Sequence, residues 1–281
     1  MESLPNSSGR KSSKEDQSSQ IIKHTVPIIK CASDSSVGLQ REHNEDAIIT
    51  IISSVHTLES IENIGLFIIA DGMGGHTRGE LASNLAVHLI SDHVLGEFFR
   101  PQSSSITPMN GLELSNILSD AVKKAQEAVL SEVPGSGSTL TVALIYDDEL
   151  IYEHIGDTRL YIIEGCNSLK QVTKDHSLVR RLVELGQITP AEAAVHPQRN
   201  VLIKALGQTE NFEADRGHLK LLPGMKVLLC SDGLWGQVSD NIMFQIINKS
   251  TCLEDACFEL TNAANKAGGL DNISVILIEY A

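Results

Sequence analysis

Carboxylates stand at five places where apolar runs of this 281-residue chain begin or end. Asp71 closes the run Leu66-Phe67-Ile68-Ile69-Ala70 and opens Asp71-Gly72-Met73-Gly74-Gly75-His76. Asp157 follows Leu150–Ile155 in Gly156-Asp157-Thr158-Arg159, and Asp232 follows Val227–Cys230 in Ser231-Asp232-Gly233. Asp271 precedes Asn272-Ile273-Ser274, and the pair Glu45-Asp46 precedes the run that starts at Ala47. If these run ends share one rim, their oxygens would form a site for hard cations, since Mg²⁺ and Mn²⁺ prefer oxygen ligands. A neighbouring glycine lets a backbone carbonyl approach such an ion with no Cβ in the way. Two cations about 3.5–4 Å apart can hold a hydroxide between them and neutralise phosphate oxygens. Without cations the same carboxylates would repel one another and some would take up protons. Taken singly, Asp and Gly at strand ends are ordinary turn chemistry. The spacing alone leaves both readings open.

The elements that must position these residues can be read from the apolar pattern. Ala47–Ser53, Leu66–Ala70, Ser138–Tyr146, Leu150–Ile155, Leu160–Ile163, Val227–Cys230 and Ile273–Glu279 read as strands. Asp147-Asp148-Glu149 separates two of them as a hairpin turn. Arg78–Val94, Leu112–Val133, Leu178–Leu185, Pro190–Val195, Asp240–Ile247 and Leu253–Ala267 read as helices, and Pro101–Gly111 as a surface loop. Strands mostly follow strands and helices cluster, so an α+β arrangement of antiparallel sheets covered by helices fits better than a parallel βαβ alternation. Residues 1–26, Ser-rich and charged with little to bury, are expected to be a disordered tail, and 27–281 a single domain.

Composition removes several function classes. With 42% hydrophobic residues the chain can bury a sizeable core, and 22 Lys+Arg against 36 Asp+Glu gives a net charge of −14. No basic cluster is present to neutralise phosphates of a nucleic acid, so a nucleic-acid partner is not expected. No apolar run approaches the roughly 20 residues that cross a bilayer, so no membrane partner is expected either. The cysteine count of five is odd and includes no CxxC pair. Reduced thiols and a cytoplasmic location are the simplest expectation.

Taken together, the motifs Ser36-Val37-Gly38…Arg41…Asn44-Glu45-Asp46, Ala70-Asp71-Gly72-Met73-Gly74-Gly75-His76, Gly137-Ser138-Thr139, Gly156-Asp157-Thr158-Arg159, Cys230-Ser231-Asp232-Gly233-Leu234 and Asp271-Asn272-Ile273-Ser274 resemble the metal-dependent protein Ser/Thr phosphatases of the 2C type. Met73 and the segment from Thr173-Lys174-Asp175-His176 to His196-Pro197-Gln198-Arg199-Asn200 resemble the bacterial branch. The resemblance implies a four-layer α-β-β-α sandwich, two antiparallel sheets flanked by helices, with two Mn²⁺ or Mg²⁺ ions at one end and a weaker third. By position it implies that Asp71 bridges two metals, Gly72 offers its carbonyl, and Asp232 and Asp271 hold one metal. Glu45 would bind directly or through water and Asp46 would support the cluster, with Asp157 and Asp232 holding the third ion. Arg41 matches the arginine that grips phosphate.

The implied chemistry is direct hydrolysis of phosphoserine or phosphothreonine by a metal-bridging water, with no phosphoenzyme, so Cys230 is expected to be a buried thiol. Met73 cannot donate a proton, which leaves His76 as the candidate general acid. His43, His176, His196 and Trp235 read as local structure or packing, and Arg159 and Arg199 as structural ion pairs. The implied partners are phosphorylated proteins modified by a Ser/Thr kinase, met by a monomer. Two rivals are a pseudophosphatase-like binding module and a phosphatase of a small phosphorylated metabolite. Retention of every metal carboxylate argues against the first.

Overall fold

The unbroken apolar runs become strands that are buried on both faces. The computed structural model describes residues 28–56, 61–74, 77–100, 109–165, 169–208 and 213–281. In chain order it contains β1 (Ile29–Ser36), β2 (Asp46–His56), β3 (Ile61–Met73), α1 (Thr77–Phe98), α2 (Gly111–Glu132), β4 (Gly137–Ser138), β5 (Leu140–Tyr146) and β6 (Glu149–Ile155). There follow β7 (Arg159–Ile163), β8 (Leu169–Gln171), α3 (Leu178–Glu184), α4 (Pro190–Ala194) and β9 (Asp215–Lys220). The chain ends with β10 (Lys226–Cys230), α5 (Asp232–Trp235), α6 (Asp240–Lys249), α7 (Leu253–Lys266) and β11 (Ile273–Tyr280).

One sheet has the order β1-β11-β10-β7-β8 and the other β2-β3-β5-β6-β9, with β4 paired to β3. Successive residues of a strand face opposite sides, and three separate cores follow from that alternation. Phe67 and Ile69 of β3, Val227 and Leu229 of β10, and Ile276 and Ile278 of β11 meet between the sheets. Leu66, Ile68 and Ala70 turn the other way onto α1 and α2. Leu228, Val275 and Leu277 turn outward onto α6 and α7. This is the expected α+β four-layer α-β-β-α sandwich of two antiparallel sheets flanked by helices.

Local chemistry sets the element ends. Asn110 Oδ1 accepts from the N–H groups of Leu112 and Glu113 at 3.1 and 3.0 Å, while Glu113 accepts from the Asn110 N–H at 3.1 Å. This reciprocal cap starts α2 at Gly111, a residue the sequence reading put in the preceding loop. Positions 101–108 of that loop lie outside the described residues. The β5–β6 hairpin turns on Asp147 and Asp148, because Tyr146 pairs with Glu149. Asp147 takes φ 51°, the left-handed region that Asp tolerates. The expected tail, residues 1–26, lies outside the described residues.

Candidate active site

The two sheets bring their strand ends to a shared cavity of about 280 Å³. Arg41, Glu45, Asp71, Gly72, Asp157, Asp232 and Asp271 all line it. Asp46 stands behind the wall, directly opposite Asp71 in the β2–β3 ladder. His76 lies outside the described residues.

Each acidic residue is set by backbone chemistry around it. The N–H of Asp71 donates to Thr139 Oγ1 at 2.9 Å, and the N–H of Thr139 donates back to the Asp71 carbonyl at 2.8 Å. Gly137-Ser138-Thr139 therefore acts as a splint for Asp71. Asn272 holds the other side: its N–H donates to Asp271 Oδ1 at 2.9 Å, and its side-chain amide donates to the carbonyls of Val37 and His43 at 2.9 Å each. Its Oδ1 accepts from the Glu45 N–H at 2.8 Å. One asparagine thus ties the Arg41–Glu45 loop to the start of β11. Trp235 donates its indole N–H to the Asp157 carbonyl at 2.9 Å and is stacked 3.5 Å beneath the Arg159 guanidinium. Arg159 in turn forks onto Asp175 at 2.9 and 2.7 Å. Arg159 and Trp235 are thus supports that join Asp157 to Asp175. His176 is buried and accepts the Gly156 N–H at 3.1 Å, next to Asp157. Cys230 is fully buried on the helix-facing side of β10, and burial pushes its thiol pKa up.

The electrostatics are those of crowded, desolvated carboxylates. Burial first, and then the neighbouring Asp46, Asp232, Asp157 and Asp271, hold Asp71 well above the usual carboxylate range. Asp157 is raised in the same way, by burial and then Asp232. Asp232 is pushed up to about 6 by burial and then Asp271. Asp46 is pushed up to about 7 by burial, against the stabilising hydrogen bond that Ser231 donates at 2.8 Å. Asp46 Oδ1 and Asp232 Oδ1 are buried with no hydrogen-bond partner. Among the described residues no three acidic, histidine or cysteine side chains stand close enough to grip one ion as they are. The carboxylates line the cavity together, with the side chains of Asp71 and Asp232 beside each other. The donor set is all oxygen, and the orphaned oxygens and raised pKa values mark negative charge with too little to balance it. These residues fit hard divalent cations.

Gly72 shows how tightly the site is bound to α1. A Cβ there would lie 2.1 Å from the Gly79 carbonyl oxygen and 2.9 Å from the Glu45 carbonyl oxygen. Both obstacles are backbone, so neither can rotate away. Gly72→Ala is expected to destabilise the fold by about 3 kcal/mol, the upper end for overpacking. Gly96, in the same α1, has nothing within 4 Å of its added Cβ. Gly96→Ala should be neutral or stabilising by up to about 1 kcal/mol. Denaturant melts of the two variants check the contrast, and equal effects would refute the close approach of β3 to α1.

Sequence reasoning singled out the carboxylates but passed over Asn272, Thr139, Ser231 and the Trp235 hydrogen bond. Asn272, Thr139 and Ser231 stood in the quoted motifs, but nothing in those motifs gave them a role.

With this geometry in place, comparison with known proteins defines the class. A model of the family described as Protein phosphatase 2C matches residues 42–268. The chain belongs to the protein phosphatase 2C family. Protein phosphatase PhpP of Streptococcus pneumoniae is 36% identical over 247 residues, covering 87% of this chain and 94% of that protein. Serine/threonine phosphatase stp of Listeria welshimeri is 33% identical over 242 residues, covering 86% of this chain and 92% of that protein. The solved catalytic domain of the serine threonine protein phosphatase PstP, in complex with two manganese ions, aligns with a TM-score of 0.74 at 29% identity. That alignment covers 91% of this chain and 99% of the PstP domain. Arg41 and Asp271 flank the span matched by the family model, and the fold brings them into contact across it.

Proposed function

We propose that this protein is a Mn²⁺- or Mg²⁺-dependent phosphatase that removes phosphate from phosphoserine and phosphothreonine in proteins modified by a Ser/Thr kinase. The observation that carries this reading is the cavity wall: carboxylates from four strand ends and one loop, with a guanidinium at its edge. Asp71 and the Gly72 carbonyl would hold both cations. Asp232 and Asp271 would hold one of them, and Glu45 would bind directly or through water. Asp46, gripped by Ser231, acts from behind rather than from the cavity. Asp157 with Asp232 would make a weaker third position. When bound, such cations neutralise phosphoryl oxygens and lower the pKa of water. Arg41 orients the substrate phosphate through its fork of donors. Cys230, buried away from the cavity, supports a reaction without a thiol nucleophile. All these residues belong to one chain, which is sufficient for a monomer to act. Free thiols at Cys31, Cys230, Cys252 and Cys257 suit a reducing, cytoplasmic setting. No helix among the described residues is long and apolar enough to cross a membrane.

The test is phosphate release from a phosphothreonine peptide by chelator-treated protein, with and without added Mn²⁺, beside a panel of sugar and nucleotide phosphates. Release should require Mn²⁺ and favour the peptide. At saturating Mn²⁺, Arg41→Ala should raise KM about tenfold, the worth of a lost charge-assisted hydrogen bond. Metal-independent release, or faster turnover of sugar phosphates, would overturn the proposal.

A further inference from the structure

Arg41 is the one cationic side chain among the described residues that line the acidic cavity. It does not point into open solvent. Its Nη2 donates to Asp271 Oδ2 at 2.8 Å, across 230 residues of chain. The other oxygen of Asp271 accepts the Asn272 N–H at 2.9 Å. Both oxygens of this carboxylate are therefore turned towards donors of the protein itself. The backbone just before Arg41 is pinned, because the N–H groups of Leu39 and Gln40 donate to the Gly269 carbonyl at 2.7 and 3.1 Å. The side chain beyond that anchor is half exposed. The nearby charges of Glu45 and Asp71 also favour the guanidinium where it lies.

We propose that Arg41 is the built-in counter-ion of the metal-free site: it competes with a divalent cation for Asp271, and the cation's arrival releases the guanidinium to take the substrate phosphate. This rests on the reading above, in which Asp271 holds a metal and Arg41 binds phosphate. The physics is competition for one carboxylate oxygen. A cation approaching Oδ2 meets the like charge of Arg41 on that oxygen and binds better once the guanidinium moves off. The same arginine that helps bind substrate thus weakens metal binding when no substrate is present. The device couples phosphate capture to metal, since the Nη2 edge of Arg41 is held on Asp271 until the metal site fills.

The experiment is calorimetric titration of Mn²⁺ into the chelator-treated full-length protein with no substrate. Wild type, Arg41→Ala, Arg41→Gln, Asp271→Asn and the double variant Arg41→Ala/Asp271→Asn are compared. Removing a half-exposed ion pair of this kind is worth up to about a fivefold change in an equilibrium. Arg41→Ala and Arg41→Gln should each bind Mn²⁺ about fivefold tighter than wild type. In the Asp271→Asn background, removing Arg41 should change the affinity by less than about twofold. Melts of the chelated proteins identify any variant that fails to fold, and the glutamine variant keeps the side-chain stem if the alanine variant does. Unchanged or weaker Mn²⁺ binding in both arginine variants, with wild type binding and Asp271→Asn weakened, would overturn the counter-ion role and leave the metal-site assignment standing. A wild type that binds no Mn²⁺, or an Asp271→Asn variant that binds like wild type, would overturn the site assignment and this inference with it.

Discussion

Asp71→Asn is expected to lower Mn²⁺-dependent phosphate release by about 10³-fold or more, and at the same time to raise the melting temperature of the chelated protein. The two signs have one cause. Asp71 sits in the cavity wall with Asp46, Asp157, Asp232 and Asp271 acting on it, and burial strengthens each repulsion. Asparagine is nearly the same shape, carries no charge and keeps an oxygen acceptor. Asparagine spares the metal-free protein the cost of either burying that charge or holding a proton to avoid it, a cost the unfolded chain does not bear. The backbone of Asp71 is held by Thr139 through main-chain groups that the substitution leaves alone. The same change removes the shared ligand on which both proposed cations depend. Loss of a single preorganised donor already costs about 10²–10³ in turnover, and a bridging ligand should cost at least the upper value. A residue that merely capped a turn would give the opposite pattern, with stability lost and activity kept. Phosphopeptide hydrolysis at saturating Mn²⁺ and a calorimetric melt in chelator decide between them. Retained turnover, or a lower melting temperature with chelator, would remove Asp71 from the metal role.

The parts of the fold legible in the sequence were those whose residues face apolar surroundings on both sides. β3, β5, β10 and β11 carry hardly any polar residue along their buried lengths, and a run of that kind announces itself. β1 was not read as a strand, because Ile29–Ser36 mixes Ser, Asp and Lys with few apolar residues. Its residues are fixed by a register with β11 that runs from Ile29 opposite Tyr280 to Ser36 opposite Ile273. β9 is similar: Asp215–Lys220 alternates exposed and half-buried residues and is held by main-chain pairing to β6. Edge strands draw their stability from a partner distant in sequence, and no local pattern encodes that partner. The site divides the same way. Its carboxylates were visible because charge next to an apolar run is conspicuous. Asn272, Thr139 and Ser231 were not, since a small polar side chain gains its role only when the fold brings up the backbone group it bonds. The Arg41–Asp271 contact closes over the length of the domain, so neither residue carries a local sign of the other.

Stability of the metal-free protein should fall as pH rises from 6.5 to 8, a window in which paired surface carboxylates would give no slope. The buried carboxylates have folded pKa values raised above their ordinary value of 3.8, Asp46 to about 7 and Asp71 and Asp157 well above the usual range. In this window the native state binds more protons than the unfolded state, so unfolding releases protons and becomes easier as they grow scarce. The stabilisation from each group is complete below pH 3.8 and is lost as pH climbs through its folded value. The buried histidines do not obscure the trend. His154 is lowered to about 4 by burial, and His176 is lowered by burial too, so both oppose the carboxylates mainly below their ordinary value of 6.5. Above pH 6.5 they are largely neutral in both states. Each carboxyl that holds a proton in the folded state and loses it on unfolding adds to the loss, so the melting temperature should fall across the window. Saturating Mn²⁺ should abolish or reverse the slope, because a cation selects the ionised carboxylates that high pH supplies. Asp71→Asn should make the slope in chelator shallower, because it deletes one of the protons released. Melting curves at three pH values, with chelator and with Mn²⁺, read all of this together. A chelated protein whose melting temperature stays flat or rises from pH 6.5 to 8 would mean that these carboxylates are already ionised and balanced without metal, and the charge argument for the site would fail.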